Sequence, residues 1–182
     1  MRTALFEKHL LEGAKMIDFA GWQMPLQYEG ILKEHLTVRH SVGLFDVSHM
    51  GVIEVFGHEA AKLLDTLSTN AILGKKKHTA IYTVWPREDG TTVDDLIVYP
   101  MNETKYFLVV NAANRAKSLN HLKKHASGFS VEIKDRYQDM GILSLQGKNA
   151  LSLISPLFLE AKHLKKMEFA EVSYHGHKII LS

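Results

Sequence analysis

The chain has 182 residues, 46% apolar and 23% charged, a globular composition long enough for one ordinary domain or a small domain plus part of another. Its 22 Lys+Arg against 20 Asp+Glu leave a formal charge of +2, too slight to argue for nucleic acid or an anionic membrane surface as partner. The absence of cysteine excludes disulfides, thiol nucleophiles and zinc–thiolate sites, and no apolar run approaches the ~18–20 residues of a membrane span. The start of the chain lacks an apolar signal core and carries an acid early, which points to a mature, cytoplasmic protein, bacterial by default.

Leu5, Phe6, Leu10 and Leu11 recur at helical spacing across residues 4–12, and Gly13 stands where a helix C-cap is expected. An extended piece over 16–20 runs into Gly21, Trp22 and Pro25. Residues 29–40 read as a second helix with Gly43 as its stop, whereas the mixed run 44–50 fits no period. A strand over 52–56, a turn at Gly57 and an Ala/Leu-rich helix over 58–68 follow. Strands 79–85 and 92–99, β-branched and aromatic, flank a hairpin turn at 86–90, and a tight connection at 100–104 leads to a strand over 105–111. A helix near 113–126, a turn at Gly128 and a strand over 129–135 complete a β-α-β-β-β-α-β order. That order predicts an α+β fold, with helices layered on a mainly antiparallel sheet.

One stretch echoes another. Val52–Leu64 and Ile142–Ile154 each give a strand, a glycine and a helix, and Gly-x-x-Ala-x-x-Leu recurs in register from Gly57 and Gly147. Chance is the alternative, because strand–Gly–helix pairs are common. As a repeat, the second copy breaks off after strands expected near 167–174 and 177–181, leaving an unpaired edge. The chain is therefore expected to be part of a larger, truncated protein.

Asp94 and Asp95 lie inside a run otherwise suited to a buried strand, Thr92–Tyr99. Successive strand residues point to opposite faces, so one carboxylate can be solvated while the other shares a face with apolar neighbours. Burying it without partners costs several kcal/mol. The plainer alternative is an edge strand with both acids wet, or pairing that starts only at Leu96. With 100–104 as the turn, Asp95 lies opposite Val109, and Asn111 falls on the same face one pair further along. A carboxylate and an amide on an apolar face can read the polar edge of a heterocycle; alternatively Asn111 caps the helix that follows. The histidines, including His175 and His177 expected on one strand face, give no metal-ligand spacing, so no metal is expected. The basic run Lys75–His78 reads as a solvated loop, with docking of an acidic partner as the alternative.

Five stretches in order, Gly13–Trp22, Met24–Tyr28, Gly43–Gly51 (Gly-Leu-Phe-Asp-Val-Ser-His-Met-Gly), Val93–Tyr99 and Val109–Lys117, resemble the N-terminal half of the aminomethyltransferases, the T-proteins of the glycine cleavage system. The resemblance covers essentially the whole chain. It implies a folate-binding T-protein-like fold with antiparallel sheets and ferredoxin-like β-α-β units. It implies three segments: 1–50 as the start of a discontinuous first domain, an inserted domain at 51–138, and an incomplete return over 139–182. The implied reaction is tetrahydrofolate-dependent aminomethyl transfer from the dihydrolipoyl arm of the lipoylated H-protein, giving methylenetetrahydrofolate and ammonia, by a protein monomeric when complete. The family's functional aspartate falls on Asp95, and its folate contacts fall on Met50, Tyr82, Asp95, Val109, Val110 and Asn111. Thr91 stands where the family usually has a glycine, and Ala4 where it has a proline. The family's later folate-site segments lie beyond Ser182, so a folate-binding module or an inactive fragment without transferase activity is the alternative.

Overall fold

Alternating and helical apolar spacing becomes eleven strands and five α-helices in the computed structural model, which describes residues 1–182. The first stretch holds α1 (Phe6–Leu11), β1 (Lys15–Phe19), β2 (Trp22–Gln27), α2 (Ile31–His40) and β3 (Gly43–Asp46). The middle holds β4 (Gly51–Phe56), α3 (Ala60–Leu67), β5 (Ile81–Pro86), β6 (Thr92–Pro100), β7 (Lys105–Val110), α4 (Arg115–His125) and β8 (Glu132–Asp135). The last holds β9 (Leu143–Gln146), α5 (Ala150–Ile154), β10 (Ala170–Tyr174) and β11 (His177–Leu181). Residues 1–49 and 139–163 form one compact unit, and 50–138 with 164–182 form the other. No helix is long and apolar enough to cross a membrane.

In the second unit, five strands make one sheet of order β5-β6-β7-β4-β8 with every neighbouring pair antiparallel. The β-α-β-β-β-α-β order and the α+β class expected from the sequence are both present. Ala60, Leu63, Leu64 and Leu67 place one stripe of α3 against the sheet, and all four are buried. They belong to a core that includes Ile53 and Val55 of β4, Leu96 and Val98 of β6, Leu108 of β7 and Leu122 of α4. Each such side chain contributes roughly 1.5–3 kcal/mol by leaving water. Trp85 is fully buried in the same core, its indole N–H donating to Ser68 Oγ at 3.2 Å. The β10–β11 hairpin joins this unit through Phe169, which stacks edge-on with His78 and Tyr99. Tyr174 pairs with His177, so His175 sits in the turn; it does not share a strand face with His177 as their spacing suggested.

In the first unit, β1 and β2 form one hairpin and β3 pairs antiparallel with β9. Pro25 is accommodated inside β2 beside a bulge, where a missing N–H costs little. Gly43, expected as a helix stop, begins β3; the helix ends earlier, where Ser41 N–H donates to Thr37 O at 2.7 Å. The start of α2 is fixed by Glu34, whose Oε1 accepts from the N–H groups of Tyr28, Glu29 and Gly30 at 2.8–2.9 Å. Phe6, Trp22 and Met24 are its buried apolar anchors near the N-terminus.

Candidate functional site

β6 is flanked by β5 and β7, so the edge-strand alternative does not hold. Pairing with β7 starts at Leu96, while pairing with β5 continues through Asp95 and Asp94. Strand alternation separates the two acids. Asp94 faces the core side with Leu96 and Val98 and is 2% exposed; Asp95 faces the other side and is exposed. The β6–β7 register also differs from expectation. Pro100 stays in the strand and pairs with Tyr106, because Asn102 Oδ1 accepts from Thr104 N–H at 2.9 Å and centres the turn one residue later. With Leu96 opposite Val110, the pairing leads on from Asp95 to Asn111, not to Val109. The shift is two residues, so the shared face survives.

Asp95 is held from both oxygens: Tyr82 donates its hydroxyl to Oδ2 at 2.9 Å, and Asn111 Nδ2 approaches Oδ1 at 3.0 Å. The bond to Asp95 raises the Tyr82 phenol above its ordinary value, which keeps it a donor. Behind this pair lies Asp94, whose carboxylate accepts from Asn111 N–H (3.2 Å), Asn111 Nδ2 (2.8 Å), Asn114 Nδ2 (2.7 Å) and Ser118 Oγ (3.0 Å). These donors offset the desolvation of a buried carboxylate. Asp94 also sits by the first turn of α4, whose partial positive charge favours an anion. Asn111 makes no side-chain capping bond to the short 3-10 turn at 112–114; its amide serves the two carboxylates instead.

Tyr82, Asp95, Val109 and Asn111 therefore come together on one face, since Tyr82 pairs with Ile97, and Ile97 with Val109. Val110 points its side chain into the core on the opposite face, leaving only its backbone for a ligand on this one. Met50 immediately precedes β4, next to the Gly51–Val110 pair at the same end of the sheet. Asn114 and Ser118 are not among the residues singled out from the sequence, which marks Asp94 only as one of a pair and leaves open which of the two is buried. The doubled aspartate was the only signal for Asp94, and nothing in the spacing marked the other two.

The first unit contains a separate arrangement. His9 Nε2 donates to Asp46 Oδ2 at 2.9 Å, and Nδ1 meets the Tyr28 hydroxyl at 2.7 Å. Burial works to raise Asp46, but hydrogen bonds from Ser48 and His9 outweigh it and hold the carboxyl below its ordinary range. These groups border an open groove of about 410 Å³ shared with Leu5, Leu44 and Leu143. The network ties α1 to β3 and explains why an acid and a histidine are buried there. No group of three or more His, Asp or Glu side chains is arranged to hold a metal ion.

Residues 5–182 match the family described as GCVT N-terminal domain. An aminomethyltransferase from Staphylococcus epidermidis is 38% identical over 183 residues, covering 100% of this chain and 50% of the relative. One from Thermus thermophilus is 47% identical over 156 residues, covering 86% of this chain and 45% of the relative. The crystal structure of glycine cleavage system aminomethyltransferase T from Bartonella henselae superposes with a TM-score of 0.84 at 34% identity, over 93% of this chain and 46% of that one. The chain spans about half the length of the curated relatives it matches.

Proposed function

The chain belongs to the family of the GCVT N-terminal domain, and from that premise we propose that it carries a tetrahydrofolate site of an aminomethyltransferase acting in glycine degradation. The second partner is the lipoylated H-protein, which brings an aminomethyl group on a dihydrolipoyl sulfur. In the overall reaction the aminomethyl carbon leaves sulfur and nitrogen and becomes bonded to two folate nitrogens. The two protons those nitrogens give up go to the dihydrolipoyl thiol and to ammonia, so the atoms balance. Tetrahydrofolate supplies the nucleophilic nitrogens when bound.

The observation that carries this reading is the oriented carboxylate of Asp95, exposed on the sheet face between Tyr82 and Asn111. A carboxylate already fixed by two donors needs little reorganisation to hold an amine edge or to stabilise positive charge developing on a transferred carbon. Val109 supplies apolar surface beside it, and Asn111 a second polar group. Met50 and the backbone of Val110 border the same end. The bacterial relatives support a cytoplasmic setting. The division into 1–50, 51–138 and 139–182 is likewise a proposal; the packing of 139–163 with 1–49 supports it, whereas 164–182 packs with 50–138.

The test is a calorimetric titration of the 182-residue chain with tetrahydrofolate, with Asp95→Asn alongside. Saturable binding, weakened about tenfold in the variant (~1.4 kcal/mol), is the expected result. No binding by a chain shown to be folded, or equal binding by the variant, overturns the reading.

A further inference from the structure

We propose that Asp94 is a positioning residue that fixes which way the Asn111 amide points, and with it the polarity of the candidate site. This rests on the reading of Asp95 and Asn111 as the pair that meets the ligand. An amide is nearly symmetric in shape, so its orientation is decided by its neighbours. Asn111 Nδ2 lies 2.8 Å from Asp94 Oδ1, 3.0 Å from Asp95 Oδ1 and 3.0 Å from the Asp95 carbonyl oxygen. Reversing the amide sets its oxygen against three acceptors. On the exposed side water can compete with the Asn111 amide for the Asp95 carbonyl and carboxylate oxygens, so Asp95 can exchange partners. Asp94 cannot: it is 2% exposed, and Asn114, Ser118 and the Asn111 backbone N–H hold it in place. Asn111 Nδ2 is thereby committed inward, and Oδ1 is presented as an acceptor beside the Asp95 carboxylate. The site becomes a pair of adjacent acceptors, suited to a ligand edge that offers N–H donors and unsuited to one that offers a carbonyl.

The variant is Asp94→Asn, which keeps the shape and replaces one acceptor oxygen by a donor. Three readouts separate positioning from mere stability. In the unaltered chain, the Asn111 side-chain amide protons should exchange with water at least tenfold more slowly than those of an exposed asparagine such as Asn102; equally fast exchange overturns the proposal without any variant. In Asp94→Asn, that protection should be lost; its retention overturns the proposal. Tetrahydrofolate affinity should fall at least tenfold in Asp94→Asn but less than twofold when the same change is made on Asn111→Ala, while the loss in thermal midpoint appears in both backgrounds. An equal loss of affinity in both backgrounds assigns Asp94 a structural role only and overturns the proposal. A chain that protects the Asn111 amide in the Asp94-dependent way yet binds no tetrahydrofolate leaves the positioning role standing and removes the folate reading instead.

Discussion

The segments 52–64 and 142–154 carry the same pattern of strand, glycine and helix, yet they end in different surroundings. Ala60, Leu63, Leu64 and Leu67 of α3 are buried under a five-stranded sheet. α5 has no fully buried residue: Ala150 and Ile154 are half-buried, Leu151 and Leu153 are each 54% exposed, and β9 belongs to a sheet of two strands. The local geometry of the two glycines is nevertheless closely alike. Gly57 has φ +145° and Gly147 φ +126°, and a Cβ at either would meet a backbone carbonyl oxygen at 2.2 or 2.3 Å. The pattern therefore sets the turn and the direction of the helix, while burial depends on what the rest of the unit supplies. Two tryptophans report the units separately, Trp22 in the first and Trp85 in the second, and both are buried.

The largest effects should come from the glycines. Gly57→Ala and Gly147→Ala each force a Cβ into backbone at a conformation only glycine tolerates, with an expected loss of roughly 3 kcal/mol or more. Emission of Trp85 during denaturation should register the first, and that of Trp22 the second. A substitution that shifts both transitions equally breaks the comparison, because the units then unfold as one. Next come the helices themselves. Leu63→Ala, at a fully buried position, should cost about 2–5 kcal/mol, whereas Leu153→Ala should change stability by less than about 0.5 kcal/mol. A large loss at Leu153 in chemical denaturation would mean that its exposed surface is covered in solution.

The same contrast explains what could be read from the sequence. The second unit was legible in outline because its strands alternate cleanly and β5, β6 and β7 pair with their neighbours in the chain. The face shared by Asp95, Val109 and Asn111 was legible even with the register displaced, because a two-residue slip preserves which side a residue faces. The run 44–50 was not legible: Leu44 pairs with Leu145, and no local period signals a partner so distant in the chain. Asp94 was not legible as the buried acid either, since Asn114 and Ser118 reach it from beyond the next strand. Met50, Tyr82 and Val110 came only from the resemblance to the aminomethyltransferases. No spacing pointed to them, and the Val110 side chain turned out to face the core.

The smallest expected effect is in acid, and it sharpens the difference between the units. Glu34 is held below the ordinary glutamate range, first by the Gly30 N–H and then by those of Tyr28 and Glu29. A carboxyl depressed in the folded state takes up its proton less readily there than in the unfolded chain. Its contribution is thus complete above the ordinary carboxyl value and disappears as pH falls through the lowered folded one. Asp46 acts in the same direction in the same unit. Glu34 is only half-buried, so its share is modest and screened by salt. The first unit should lose stability on acidification, read as the denaturant midpoint followed by Trp22 emission with Trp85 replaced by phenylalanine. Glu34→Gln should start from a lower midpoint near neutral pH and decline less steeply in acid. An unchanged slope would show that the three N–H bonds to Glu34 do not persist in solution, and that the start of α2 is held by other means.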